Sequence, residues 1–259
     1  MNILITGATG FIGSDLCEYL IGNDHKITAL TRDKVKAAKK LSGDVDIIES
    51  LEEVENSAKI DAIINLAGAP IDRKWTAEYK QKLIDSRVET TKALIDLIER
   101  LDEKPETLIS GSAIGYYGSN DDEILTEHSS PKDEFTHQLC SKWEEAALKA
   151  NDFNVRTCII RIGVVLGSNG GALSKMLPSF RLGLGGKIGD GQQHFSWIHK
   201  KDVIGAIDFL IENEDQKGIF NFTAPNPVTN KEFVKALGKE LGRPTFFAVP
   251  PVVIKSLFG

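Results

Sequence analysis

Thr6-Gly7-Ala8-Thr9-Gly10-Phe11-Ile12-Gly13 follows the short apolar run Asn2–Thr6 and opens a stretch, Phe11 to Ile21, whose apolar residues recur at helical spacing. A strand that enters a glycine turn and leaves it as a helix makes a cradle for phosphate. Gly7 permits the tight turn, Gly10 lets a pyrophosphate approach the backbone, and Gly13 lets helix and strand pack closely, while the helix N-terminus faces the anion. Glycine spacing alone is weak evidence, because a tight turn with no ligand uses the same residues. The position between strand and helix carries the reading. It predicts a dinucleotide site built from Gly7, Thr9, Gly10, Phe11, Ile12 and Gly13.

Outward from this turn, short Ile- and Val-rich runs alternate with helical stretches, the pattern of a parallel sheet covered on both faces. Strands are predicted at Lys26–Thr31, Asp44–Glu49, Asp61–Leu66, Thr107–Ser110 and Val155–Ile162. Trp75 to Leu101 contains no Pro or Gly and carries Leu83, Ile84, Val88, Leu94, Ile95 and Ile98 at helical spacing, which predicts one long helix. A loop is expected over Gly111–Pro131 and a helix over Glu134–Ala150. The fold class is α/β, a Rossmann-type doubly wound parallel sheet with a small C-terminal substrate lobe. Residues 1–162 form the dinucleotide-binding domain. Residues 163–259 are mostly lobe, interleaved with that core, because nine glycines between Gly163 and Gly191 give loop and short-helix composition. Beyond them, helices are predicted at Lys201–Glu212 and Asn230–Leu241, flanking a strand at Gly218–Thr223.

The second strand ends where a Rossmann site meets the adenosine ribose. An acid there accepts from the 2'-hydroxyl of NADH, whereas a cation favours a 2'-phosphate. This chain places Thr31-Arg32 at that point, with Asp33 one step later. A guanidinium fork suits a phosphate dianion, so NADPH is expected over NADH.

The bulk properties exclude other classes. A net charge of −6 over 259 residues, with both signs mixed throughout, leaves no basic stripe for nucleic acid. Cys17, Cys140 and Cys158 make an odd set without C-x-x-C spacing, so reduced packed thiols are expected and neither a disulfide framework nor a metal site is. Apolar runs all fall short of the roughly 20 residues of a membrane span. Nothing resembling an export signal precedes the first strand, and a cytoplasmic location is expected. The expected partner is a small-molecule substrate, with a homodimer as the assembly to test for.

With the turn, Asn65-Leu66-Ala67-Gly68 and Ser110-Gly111-Ser112-Ala113 in hand, the sequence resembles the extended short-chain dehydrogenase/reductases over nearly its whole length. More narrowly it is similar to their atypical "epimerase family protein" branch, nucleoside-diphosphate-sugar epimerase-like proteins some of which carry a cell-division-inhibitor label. Arg73-Lys74-Trp75, Asp85 to Thr91, Arg161 to Gly167, Phe180 to Gly186 and Phe195 to His199 carry this narrower resemblance. It implies that Leu66, Ala67 and Gly68 line the cofactor, that Thr31 and Arg32 meet the ribose phosphate, and that Arg87 and Val164 lie near the dinucleotide. For Arg87, a helix ion pair with Asp85 or Glu89 is the competing reading.

Catalysis in the parent family uses a serine after the fifth strand and a Tyr-x-x-x-Lys on the next helix, where the lysine lowers the phenol pKa. Ser112 matches the serine and Lys142 the lysine, but Gln138 stands four residues before Lys142. An amide has no usable proton at neutral pH. Tyr116 and Tyr117 are therefore the candidate phenols, and the catalytic set reads Ser112, Tyr116, Tyr117 and Lys142. Phe195 occupies the position where sugar-nucleotide epimerases place a diphosphate-binding arginine, which favours a less charged substrate or an anion site using Arg181, Lys187 or Gln192. His199 and Asp202 are expected to hold the lobe together. Pro250 to Ile254 reads as the start of a closing helix, and the resemblance implies about 40 further residues. Two functions stay open: an NADP(H)-dependent oxidoreductase or epimerase on a small molecule, and a non-catalytic NADPH sensor.

Overall fold

The computed structural model describes residues 1–120 and 123–250. Asn2–Thr6 forms β1, and its side chains alternate between two cores. Ile3 and Ile5 point to one face, where they join Leu16, Cys17 and Leu20; Leu4 points to the other, with Leu94, Leu97 and Ile98. A strand buried on both faces is largely apolar, so the run is apolar from Ile3 to Ile5, and the buried Thr6 that follows has its hydroxyl bonded to Asn65.

The chain continues as α1 (Gly13–Gly22), β2 (Lys26–Leu30), α2 (Lys34–Ala38), β3 (Val45–Ile48), β4 (Ala62–Asn65), α3 (Ala77–Arg100), β5 (Thr107–Ala113), α4 (Phe135–Leu148) and β6 (Arg156–Ile162). Thr76 caps α3 by accepting from the Tyr79 N–H, which sets the start of the long helix two residues inside the predicted stretch. Then follow β7 (Val164–Leu166), α5 (Gly171–Arg181), β8 (Gly186–Ile188), β9 (His194–Phe195), β10 (Trp197–His199), α6 (Lys200–Glu212), β11 (Gly218–Phe222), β12 (Val228–Thr229), α7 (Asn230–Glu240) and β13 (Phe247–Val249).

Seven strands make one sheet in the order β11-β6-β5-β4-β1-β2-β3, with every neighbour parallel. Residues of α1 and α6 pack one face of it, and residues of α3 and α4 pack the other. This is the doubly wound Rossmann-type arrangement. The strand order reverses between β1 and β4, and the loops leaving their C-terminal ends border the crevice where such sheets bind ligands. Residues beyond Ile162 both complete the sheet, through α6 and β11, and build three small two-stranded pairs, β10-β7, β12-β9 and β13-β8.

Several details differ from the sequence reading. β5 runs on to Ala113, so Ser112 sits within the strand and not in a loop. Tyr116 and Tyr117 lie in the 3-10 turn Ile114–Tyr117, inside the stretch expected as loop. The short elements α2, β7, β8, β9, β12 and β13 carry no sequence expectation, because so few residues leave no periodicity to read. The closing helix expected from Pro250 to Ile254 lies, past Pro250, outside the described residues.

Candidate functional site

Gly7 has φ +73°, and a Cβ there would stand 2.5 Å from the Leu66 carbonyl oxygen, so the turn after β1 lies directly against the end of β4. The Gly10 N–H donates to the Gly7 carbonyl at 2.8 Å. A Cβ on Gly13 would collide with that same carbonyl and stand 2.8 Å from the Ala8 Cα. Among the described residues, the N–H groups of Phe11 and Ile12 have no backbone acceptor, and no side chain caps α1. A cradle that only glycine fits, lined by free donors at a helix N-terminus, suits the diphosphate of a dinucleotide.

At the end of β2, pairing of Leu30 with Thr6 sets Thr31-Arg32 beside the turn, the Thr31 N–H donates to the Ile48 carbonyl of β3 at 2.9 Å, and Arg32 is exposed. Asp33 is turned away. Its carboxylate caps α2 by accepting from the Lys36 N–H at 2.9 Å, a bond that holds it below the usual carboxylate range, and it pairs with the Lys36 ammonium. The acid nearest the ribose position is therefore occupied elsewhere.

At the end of β4, the buried Asn65 accepts from Thr6 at 2.7 Å and donates to Thr91 at 2.8 Å, while the Ala67 N–H donates to the Thr6 hydroxyl. This polar knot fixes Leu66 and Ala67 at the crevice. Arg87 folds inward beneath them, donating to the carbonyls of Leu83 and Ala69 at 3.0 and 3.2 Å and lying over the Trp143 ring. Burial pushes its pKa down, yet a guanidinium stays charged at neutral pH. A Cβ on Gly68 would stand 2.7 Å from the Arg87 guanidinium carbon, so this glycine makes room for the cation. Helix ion pairing with Asp85 or Glu89 is not its role.

The structure does not bring Lys142 together with Ser112, Tyr116 and Tyr117. Lys142 is exposed and lines a groove between α3 and α4 together with Val88, Lys92 and Lys149. Gln138, also exposed, donates to Asp133. Thr136, Cys140, Trp143 and Glu144 of α4 face the end of β5 and the turn after it: Thr136 packs on Gly115, Trp143 packs on Gly111, the Cys140 thiol approaches the Ala113 carbonyl, and Glu144 accepts from the Ser112 hydroxyl at 2.5 Å. Burial pushes the Cys140 thiol up, which keeps it protonated. Lys142→Ala is accordingly expected to leave dinucleotide affinity unchanged and to move stability by no more than about 0.5 kcal/mol, measured by titration and thermal melting.

Glu144 joins a buried network. Arg161, 1% exposed, donates to both Glu144 oxygens at 2.9 and 2.8 Å and to the Tyr117 hydroxyl at 3.0 Å. Tyr117 in turn donates to the Asn221 side chain at 2.7 Å. Burial opposes the charge on Arg161, but the Glu144 carboxylate and the Tyr117 hydroxyl hold its pKa above the ordinary value. Tyr117 is thus a buried structural phenol with its hydroxyl bonded on both sides. Tyr116 alone of the two is half-buried, its face on the Arg161 guanidinium and its edge against His137, whose Nδ1 lies 3.0 Å from the Tyr116 carbonyl. Sequence reading had assigned no role to Glu144, Arg161 or Asn221.

Phe11 connects the glycine turn to the lobe. A Cβ on Gly167, Gly170 or Gly171 would stand 2.9, 2.7 or 2.5 Å from its ring, so these glycines are where the lobe closes over it. The buried Lys200 ammonium lies over the same ring, pairs with Asp15 of α1 and donates to Asn169 at 2.6 Å. Lys200 therefore ties the lobe to α1. His199 and Asp202, expected to hold the lobe together, are both exposed; His199 caps α6 by accepting from the Lys201 N–H. Val164 is half-buried and its N–H donates to Ser196. Phe195 stacks on Phe233 at 4.5 Å, Lys187 donates to the Asp190 carbonyl, and Arg181 stands exposed in the last turn of α5. Asp72, in the loop after β4, pairs with Lys175 of α5.

All three cysteines are buried free thiols, with Cys17 pushed up to about 12 by burial. Among the described residues, His25, Asp208 and Glu212 are the group of metal-type side chains that comes together. They lie by the N-terminal end of β2, the opposite end of the sheet from the glycine turn. No described helix is long and apolar enough to cross a membrane.

Comparison with known proteins agrees with this layout. Residues 3–222 match the model of the NAD dependent epimerase/dehydratase family. The chloroplastic epimerase family protein SDR39U1 homolog of Arabidopsis thaliana is 42% identical over 267 aligned residues, spanning 100% of this chain and 76% of the relative. The crystal structure of human epimerase family protein SDR39U1 (isoform2) with NADPH superposes with a TM-score of 0.90 at 34% identity, covering 100% of this chain and 86% of that one. A nucleoside-diphosphate sugar epimerase from Corynebacterium glutamicum gives 0.77 at 31% identity, over 99% of this chain and 54% of its own. The chain belongs to the NAD dependent epimerase/dehydratase family, on its atypical extended short-chain dehydrogenase/reductase branch.

Proposed function

We propose that the chain binds NADPH along the C-terminal edge of the sheet and acts in the cytosol as an oxidoreductase or epimerase on a small molecule. The lobe built from residues 163–199 and 223–250 would hold that molecule. The cradle at Gly7, Gly10 and Gly13 carries the reading, with Thr31-Arg32 at its adenosine end and the inward Arg87 under Ala67 and Gly68. The human relative, crystallised with NADPH, supports the same choice. When bound, the dinucleotide supplies or accepts a hydride.

The chain's own residues do the rest. The free N–H groups at the start of α1 hold the diphosphate, and Arg87 adds charge near the nicotinamide ribose. Of the four residues first read as catalytic, Tyr116 is the phenol not locked into the buried network, and it takes the proton-donor role. Phe195, committed to Phe233, offers no cation for a second diphosphate, which favours a substrate less charged than a sugar nucleotide.

The test is to purify the protein, identify any retained dinucleotide, and follow the reduced-nicotinamide absorbance against a panel of carbonyl compounds. Oxidation by one compound is the expected result, with Tyr116→Phe lowering turnover by about a hundredfold or more. One observation favours a second reading, a non-catalytic NADPH sensor: Ser112 and Tyr117 are sequestered with Glu144 and Arg161, and Lys142 faces solvent. Tight NADPH binding without oxidation or epimerised product across the panel would select it.

A further inference from the structure

Lys40 is an exposed lysine on the turn that follows α2, outside the glycine turn and outside the Thr31-Arg32 pair. Its side chain nevertheless reaches the glycine turn, where Nζ donates to the Thr9 carbonyl at 2.5 Å. The reach is built in. Ala37 and Leu41, on either side of it, are buried in the core beneath the sheet, and the Lys40 and Leu41 N–H groups both donate to the Ala37 carbonyl at 2.9 Å. The backbone that carries Lys40 is therefore fixed.

Among the described residues no carboxylate pairs with this ammonium. The nearby acid in sequence, Asp33, is spent on the α2 cap and on Lys36. Glu49, at the end of β3, accepts from the Lys34 N–H. Parallel pairing of β1 and β2 sets Thr6 beside Leu30, so Thr31-Arg32 flanks the turn residues from the β2 side. Lys40 meets the turn at Thr9. The adenosine end of the cradle is thus bordered by two cations without carboxylate partners.

We infer that Lys40 is a second cation for the 2'-phosphate of NADPH and, with Arg32, sets the preference for NADPH over NADH. The inference rests on the cofactor reading above. A lysine ammonium is a compact point charge with three donors, so one can stay on Thr9 while another meets a phosphate oxygen. Arg32 provides the fork and Lys40 the point charge, and a dianion takes both.

Binding of NADPH, NADH and 2',5'-ADP should be measured by calorimetry on wild-type protein, Lys40→Gln, Lys40→Arg and Arg32→Gln, with thermal melts to confirm folding. Lys40→Gln is expected to weaken NADPH and 2',5'-ADP by about tenfold to a hundredfold and to leave NADH within about twofold. It should also make NADPH affinity less sensitive to salt, and Lys40→Arg should recover most of the loss. Equal loss of NADPH and NADH in Lys40→Gln would mean that the lysine only props the turn through Thr9, and would overturn the inference, as would no loss at all. Wild-type protein that binds NADPH no better than NADH would instead overturn the cofactor reading on which the inference stands.

Discussion

Arg161→Met is expected to destabilise the fold by about 3–5 kcal/mol, because it strands the Glu144 carboxylate, 5% exposed, without its cation. The residual partner is the Ser112 hydroxyl, which donates one hydrogen bond where the guanidinium donated two. For a domain of this size each kcal/mol moves the midpoint by about 2–4 °C, so the thermal midpoint should fall by about 6–20 °C. Pairing the change with Glu144→Leu tests the cause. Replacing both partners of a buried ion pair with apolar residues is often close to neutral, so the double variant is expected to recover much of the loss. A double variant as unstable as the sum of its singles would show that packing around Tyr117 and Asn221, and not the stranded charge, sets the cost.

Gly13→Ala should act on binding as well as on stability. A methyl at this position meets the Gly7 carbonyl and the Ala8 Cα, both backbone atoms that cannot rotate aside. Overpacking of this kind costs about 1–3 kcal/mol, and the turn must open to absorb it. Opening displaces the donors at the start of α1. Each charge-assisted hydrogen bond lost from a diphosphate weakens affinity by about tenfold or more, so NADPH titration should show a loss well beyond the change in melting. Unaltered NADPH affinity in a folded Gly13→Ala protein would place the diphosphate elsewhere.

The parts of this fold that were legible in the sequence are those where local pattern and tertiary demand agree. β1 is legible because its apolar centre, Ile3 to Ile5, is buried on both faces and runs straight into the glycine turn. The long α3 was readable because its apolar stripe runs unbroken between a threonine cap and Leu101. The resemblance names Arg87, but nothing local in the sequence shows that Gly68 leaves space for its guanidinium to fold under the loop after β4.

Beside Ser112, helical periodicity decides which residues of α4 turn inward. Spacing from the family's tyrosine position points to Lys142. The buried stripe of α4 is Leu139, Cys140, Trp143, Glu144 and Ala147, and a residue at 142 falls off that stripe by helical geometry alone. The same stripe brings Glu144 inward, an acid on a face that otherwise buries apolar groups. Its partner, Arg161, lies inside an apolar strand. Two lone charges in apolar contexts on adjacent elements are a readable signal of a buried pair. The lobe was harder, since its short strand pairs join residues as distant as Gly186 and Phe247, and nothing local announces such partners.

The ring of Phe11 bears on how this protein can be rebuilt. It belongs to the cofactor loop, yet it is the surface on which Gly167, Gly170 and Gly171 close, beneath Lys200. A lobe transplanted from a relative to change substrate range is therefore not an independent cassette. Unless the donor brings small residues at those three places and a cation to cover the ring, the chimera inherits a steric fault at the seam, and its cofactor loop inherits it too.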